Sequence, residues 1–318
     1  MVLAIVCPGQ GSQTPGFLSP WLELDGAEPL LRALSDATGI DLVAHGTVSD
    51  AETIKDTAVA QPLIVAAGLV GARALFGESG VPDGVVLAGH SVGEITAAVL
   101  AGALTEADGM AFVKERSTAM ARAAAAEPTG MAAVVGGVED EVLAAIEAAG
   151  LTPANMNGGG QIVAAGTLPQ LDALVAAPPA RARVIPLKVA GAFHTAHMQP
   201  AVAALEGLAP SLHPTAPTRT LLSNRDGTPV TSGDATLAAL IGQVSRPVRW
   251  DACMQTLAEA GVTGLLELPP AGTLTGLAKR GLRGVASFAL STPDDLPAAR
   301  DFVAARAATA APTNEGQA

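Results

Sequence analysis

The sequence predicts an α/β fold in two parts, a larger unit on a parallel sheet and a smaller β-α-β-β-α-β unit inserted into it. Three observations carry this. Leu3-Ala4-Ile5-Val6-Cys7 and Val85-Val86-Leu87-Ala88 are short apolar runs ended by Pro-Gly and Gly-His, the pattern of parallel strands covered on both faces. The second run passes through Gly89-His90-Ser91-Val92-Gly93 into a helix-forming stretch, giving strand, sharp turn, helix. From Met131 to Leu187, four strand-like runs and two amphipathic helices follow one another in a single block.

The elements follow in order. After the first strand comes the loop Pro8-Gly9-Gln10-Gly11-Ser12-Gln13, then helical spacing over Glu28 to Thr38 and Gln61 to Phe76. In the second of these Pro62 falls near the start, where a missing N–H is tolerated. Glu94 to Ala103 and Glu106 to Ala126 are the next helices, the latter stopping before Pro128. In the inserted block the strands are Met131–Val135, Ala154–Asn157, Gln161–Ala165 and Arg183–Leu187, with helices near Asp140–Ala149 and Pro169–Ala176; this order is that of a ferredoxin-like subdomain. A helix at Met198 to Ala209, a strand at Thr220 to Ser223 and a run at Gly264 to Glu267 return the chain to the larger unit. The expected division is 1–127 with 190–306 as the core, 128–189 as the small subdomain and 307–318 as a flexible tail.

Composition removes several function classes. With 318 residues, 49% hydrophobic and 15% charged, the chain is globular and long enough to bury a large core. Its formal charge of -12 argues against nucleic-acid binding, which needs many Lys and Arg on phosphates. A mean hydropathy of +0.39 comes largely from alanine. The apolar run Thr57 to Ala72 holds Gln61 and Pro62 and is short of a membrane span, and no basic segment precedes an apolar one to make a signal peptide. A cytoplasmic protein with no membrane partner is expected. Cys7 and Cys253 lack metal-ligand or CxxC spacing and read as buried thiols, so no metal and no cofactor are expected.

Gly89-His90-Ser91-Val92-Gly93 fits Gly-x-Ser-x-Gly in the strand-to-helix context of a nucleophile elbow. A Cβ at either glycine would crowd the turn that lifts Ser91 Oγ, and the Val92 N–H, at a helix N-terminus, favours a developing oxyanion. The alternative is a glycine-bounded turn with an inert serine. Among five histidines, His194 is the candidate base, because it follows the strand-like Val184 to Val189 and a Gly191-Ala192-Phe193 turn; His197 is the runner-up and His90 is structural. No acidic third member stands out, since Asp108, Asp140 and Asp172 read as surface residues, so a Ser/His dyad is expected, with the imidazole held by an amide side chain or a backbone carbonyl. Arg116 interrupts the apolar stripe Phe112, Arg116, Met120. It is either a structural cation, snorkelling or ion-paired, or a bidentate clamp for a substrate carboxylate.

Four motifs, Pro8 to Gln13, Gly89-His90-Ser91-Val92-Gly93-Glu94, Gly191-Ala192-Phe193-His194 and Pro269 to Gly276, together resemble the malonyl-CoA:acyl carrier protein transacylase family over residues 3 to about 290. The resemblance implies a hydrolase-like α/β core with an inserted ferredoxin-like subdomain, and ping-pong transfer of malonyl from malonyl-CoA through a malonyl-serine to the phosphopantetheine thiol of holo acyl carrier protein, in fatty acid or polyketide synthesis. It makes Ser91 the nucleophile, His194 the base and Arg116 the partner of the malonyl carboxylate. Gln10 and Val92 become oxyanion-hole donors, Gln243 the residue whose carbonyl holds the histidine, and Asn157 a residue near the site. Val92 and Phe193 resemble malonyl-selective members, whereas methylmalonyl-selective relatives usually carry Gln and Ser there. Thr195 and Pro270-Ala271 depart from the family pattern.

An acidic carrier needs a local basic patch on this acidic chain, and Lys279, Arg280 and Arg283, or Arg183 and Lys188, are the two candidates; ordinary solvated charge is the other reading. The rival functions are a serine esterase or thioesterase of the same fold and a catalytically silent carrier-docking subunit.

Overall fold

The computed structural model describes residues 2–307. β1 (Val2–Cys7) leads to α1 (Ala27–Thr38), α2 (Leu42–Thr47) and α3 (Thr57–Phe76), and β2 (Val86–Gly89) to α4 (Gly93–Leu100) and α5 (Glu106–Ala126). The middle block holds β3 (Thr129–Gly136), α6 (Glu139–Ala148), β4 (Thr152–Gly158), β5 (Gln161–Thr167), α7 (Leu168–Ala176) and β6 (Ala182–Pro186). The chain returns through α8 (Gln199–Leu208), β7 (Thr220–Leu222), β8 (Pro229–Val230), α9 (Gly233–Gln243), β9 (Val248–Arg249), α10 (Trp250–Glu259), β10 (Val262–Glu267), α11 (Thr273–Gly281), β11 (Ala286–Ala289) and α12 (Leu296–Ala307).

Two sheets organise these elements. The larger has the order β11-β10-β1-β2-β7-β8 and is parallel except at β8. Alternation along β1 sends Leu3, Ile5 and Cys7 into the core formed with α3, α4 and α5, and Ala4 and Val6 into the core formed with α10 and α11. Both faces are therefore dry, which is why the strand reads as a continuous apolar run. The smaller sheet has the order β6-β3-β5-β4-β9. Its first four strands pair antiparallel in the ferredoxin-like order, and α6 and α7 close their own core with Val142, Ile146, Leu171 and Leu174.

The structure departs from the sequence reading in identifiable ways. The small sheet takes a fifth strand, β9, from far beyond the middle block, paired parallel to β4 at Asn155 and Met156. Two residues are too short a run to show a period. β6 is an edge strand of this small sheet and ends at Pro186, short of the expected Val189, so His194 does not stand directly at a strand end but in the longer loop that follows, at φ 63°. α3 starts four residues before Gln61, with the Asp56 side chain accepting from the Ala58 N–H at 2.8 Å. Pro62 is consequently inside the helix and cannot bond the Ala58 carbonyl, which receives Ser117 Oγ of α5 at 3.4 Å instead. Thr57–Ser79 is thereby long and apolar enough to cross a bilayer, contrary to expectation, but most of it is buried in the fold. The tail from 308 onward lies outside the described residues.

Candidate active site

The four motifs all contribute to one cavity, and the first two meet there because β1 and β2 are neighbours in a parallel sheet and present their following loops at the same edge. The His90 N–H donates to the Cys7 carbonyl at 2.9 Å, tying the β2–α4 turn to the end of β1. Gly93 packs against the same chain end: a Cβ there would collide with the Cys7 and Pro8 carbonyl oxygens. Ser91 stands between the strand and α4 at φ 53°, a left-handed conformation uncommon for a side-chain-bearing residue and one that turns Oγ out of the sheet.

Ser91 Oγ lies 2.7 Å from His194 Nε2. On the far side of the ring, Nδ1 is 2.8 Å from the main-chain carbonyl of Gln243. A carbonyl only accepts, so Nδ1 carries the hydrogen and the Nε2 lone pair faces the serine hydroxyl. Burial, reinforced by Arg116 nearby, pushes the His194 pKa down to about 3, so the ring is neutral at neutral pH and its Nε2 lone pair is unprotonated. The Thr195 hydroxyl donates to the Ala192 carbonyl at 2.7 Å and bends the loop around this histidine. His197, by contrast, is turned to the surface, with Nδ1 3.1 Å from Glu127.

Arg116 is fully buried on α5. Nη1 donates to Gln61 Oε1 at 2.6 Å, and Nη2 donates to Gln243 Oε1 at 2.8 Å and Ser91 Oγ at 3.3 Å. Nε is buried without a hydrogen-bond partner among the described residues. Burial lowers the Arg116 pKa to about 10, opposed by Glu94, and the group stays cationic. The structural alternatives for this residue, snorkelling and a direct ion pair, do not describe it: its head is held by amide oxygens inside the protein and points at the serine.

The remaining candidates take their places around these three. Gln10 reaches Thr57 Oγ1 at 3.3 Å with its side chain, and its main-chain N–H, like that of Val92, has no hydrogen-bond partner among the described residues. Gln10, His90, Ser91, Asn157, Phe193 and His194 line a cavity of about 240 Å³ whose walls include Met120, Met131, Leu187 and Leu277. Asn157 Oδ1 meets His90 Nε2 at 2.9 Å, and the imidazole lies edge-on to Trp250, which agrees with a structural role for His90. Arg116, Val92 and Gln243 are buried next to Ser91 without forming part of the cavity lining.

Three participants escaped the sequence reading. Gln61 holds Arg116; it was visible only as a polar interruption in an apolar helix. Asn224, after β7, accepts from the Ser91 N–H at 2.8 Å and donates to the Gly89 carbonyl at 2.7 Å, so it ties both ends of the elbow. Glu94, at the first turn of α4, is buried and accepts from Gln243 Nε2 at 2.6 Å. Its position directly after the elbow was noted, but nothing in the sequence showed that it points inward. At the other wall, the buried Glu267 carboxylate accepts the N–H groups of Gly272, Leu274 and Thr275 at 2.8–2.9 Å, anchoring the start of α11 beside the cavity.

The chain matches the acyl transferase domain family over residues 4–309. It is 52% identical over 296 residues to the malonyl CoA-acyl carrier protein transacylase of Mycobacterium bovis, covering 93% of this chain and 98% of that protein. The Escherichia coli transacylase of the same name is 34% identical over 310 residues, or 94% and 99% of the two chains. The crystal structure of the Mycobacterium tuberculosis enzyme superposes with a TM-score of 0.90 at 51% identity over 94% of this chain and 100% of that one. A malonyl-transacylase in complex with its type II polyketide acyl-carrier protein gives 0.87 at 30% identity over 95% and 99%. With the mainly parallel sheet, the small mixed sheet and the serine–histidine pair in place, the chain belongs to the malonyl-CoA:acyl carrier protein transacylase family.

Proposed function

We propose that this chain moves malonyl from malonyl-CoA to the phosphopantetheine thiol of an acyl carrier protein, with Ser91 as nucleophile. The observation that carries the site assignment is the 2.7 Å contact between Ser91 Oγ and a neutral, buried His194 whose other nitrogen is already committed to a carbonyl. His194 takes the hydroxyl proton as Oγ attacks the thioester carbon, and the Gln10 and Val92 N–H groups hold the oxyanion. Collapse expels CoA, which leaves with that proton. The carrier thiol then gives its proton to His194, attacks the malonyl ester and restores Ser91. The malonyl carboxylate lies toward Arg116, the cation nearest Oγ, and Asn157 and Phe193 shape the acyl cavity.

The division of the chain follows the chemistry: 1–127 and 190–306 carry the nucleophile, base and cation, and 128–189 supplies the opposite wall. Lys188 is next to the cavity residue Leu187, and Lys279 and Arg280 follow Leu277; all three basic side chains are exposed. These two patches at the rim suit an acidic carrier. Cytoplasmic residence is supported by two free, buried cysteines.

Intact mass after mixing with malonyl-CoA alone tests the reading. A malonyl adduct on Ser91 is expected, absent in Ser91→Ala and discharged by holo carrier protein but persistent in water. Discharge by water alone makes the chain a thioesterase, and an adduct retained by Ser91→Ala removes the nucleophile assignment.

A further inference from the structure

Glu94 has no place in the mechanism above, yet it is a buried carboxylate at the centre of the polar network under the site. Its Oε2 accepts Gln243 Nε2 at 2.6 Å and the Asn224 N–H at 3.2 Å. Gln243 Nε2 faces two further acceptors, the Ser91 carbonyl at 3.0 Å and Asn224 Oδ1 at 3.1 Å. Its other amide atom, Oε1, faces the Arg116 Nη2 donor at 2.8 Å. A flipped amide would set a donor against the guanidinium and an acceptor against the carboxylate, so the charge on Glu94 and the charge on Arg116 choose the same orientation. The main-chain carbonyl of the same glutamine holds His194.

We propose that Glu94 is a positioning residue for malonyl transfer: its carboxylate fixes the Gln243 amide, and through that one residue it sets both the guanidinium that faces the acyl group and the carbonyl that orients the base. This rests on the roles assigned above to Ser91, His194 and Arg116. Protonation undoes the arrangement, because a carboxylic acid donates as well as accepts and lets the amide turn. Burial pushes the Glu94 pKa up to about 7, with Arg116 on α5 and the neighbouring amide donors pulling it down. The other titratable groups around it are Cys253 on α10, whose thiol is pushed up by burial, and the buried histidines His194 and His90, both pushed down. Burial moves all three away from neutrality, the thiol upward and the two rings downward, whereas it moves Glu94 toward it, so an acid limb there is assigned to Glu94.

The test is single-turnover acylation by malonyl-CoA and by acetyl-CoA across neutral pH, in the wild type, Glu94→Gln, Glu94→Leu and Ser91→Ala. Wild-type malonyl acylation should fall on the acid side with a midpoint near the Glu94 pKa. Glu94→Gln, the neutral isostere of the protonated acid, should lose that limb and acylate at every pH near the level the wild type falls to on its acid side. Glu94→Leu should lose about tenfold or more, as for a hydrogen bond to a charged group, with a larger loss for malonyl than for acetyl. In an Arg116→Ala background that malonyl-specific excess should vanish. A folded Glu94→Gln protein with the wild-type acid limb overturns the proposal, and so does an unchanged malonyl-to-acetyl ratio in folded Glu94→Leu. If Ser91→Ala is inert while the Glu94 variants behave as wild type, only the positioning role fails; if Ser91→Ala still acylates, the underlying site assignment fails.

Discussion

Replacing His194 with alanine should flatten the pH dependence of stability by an amount the structure sets. In the folded protein the His194 pKa is pushed from 6.5 to about 3, mainly by burial. Folding must then expel a proton below pH 6.5, so the stability this neutral ring contributes is complete above 6.5 and is lost as pH falls toward 3. Between about pH 7.5 and about pH 5 the loss amounts to about 2 kcal/mol, at roughly 1.4 kcal/mol per unit once the unfolded histidine is protonated. Glu94 works in the opposite direction: with its pKa raised from 4.5 to about 7, its contribution is present below 4.5 and is lost as pH rises through 7. His90, also pushed down by burial, has the same sign as His194. Both remain in the variant, so the difference between wild type and His194→Ala isolates the one ring. Urea unfolding at a series of pH values, with equal m-values in the two proteins, measures it. A stability difference that does not change with pH would show that His194 is not held neutral by its surroundings, and the argument that its Nε2 lone pair is free at neutral pH would fall with it.

Arg116→Ala should lower the kcat/KM ratio of malonyl-CoA over acetyl-CoA at least tenfold, since a charge-assisted pair contributes about 1.5–3 kcal/mol. It should also destabilise the fold, because Gln61 and Gln243 lose their donor and Glu94 its countercharge; a folded variant with the wild-type ratio would leave Arg116 a structural residue. Gly93→Ala should either fail to fold or lose acylation about 100-fold or more, because the added Cβ meets the Cys7 and Pro8 carbonyls, and normal acylation with a normal circular dichroism spectrum would contradict that packing. His197→Ala should keep most single-turnover acylation, since this ring pairs with Glu127 at the surface, and a loss equal to that of His194→Ala would reverse the choice of histidine.

Elements with a strong period or sharp ends were legible in the sequence. α5 has the expected bounds, Glu106 to Ala126, because Thr105 caps one end and Pro128 follows the other. The strands Met131–Val135, Gln161–Ala165 and Arg183–Leu187 were visible for a related reason, since each holds a short run with Val or Ile bounded by glycine or proline. What stayed hidden depends on partners distant in sequence. β9 is a strand only because β4 offers it an edge, and its two residues say nothing alone. Ser91, Arg116 and the candidate base could be named from local motifs, but Gln61, which holds Arg116, Asn224, which holds the elbow, and Glu94, which holds the Gln243 amide, are polar side chains whose burial arises from three-dimensional packing. Glu94 illustrates the limit: a glutamate in the first turn of a helix ordinarily faces water and complements the helix dipole. Here α4 lies within the core, and that turn faces the interior.

The fifth strand of the small sheet bears on how this protein is taken apart. By connectivity, 128–189 looks like a cassette that another family member's segment could replace to change the shape of the acyl cavity. The edge of β4 is occupied by Val248 and Arg249, and those residues lie between Gln243, which holds the base, and Trp250, which packs on His90. A graft cut at the apparent boundaries would exchange the cavity wall while keeping the old strand, which follows closely on the Gln243 carbonyl that holds the histidine. The transplantable unit is discontinuous, and a chimera that respects the hydrogen bonding carries residues 243–250 along with the cassette.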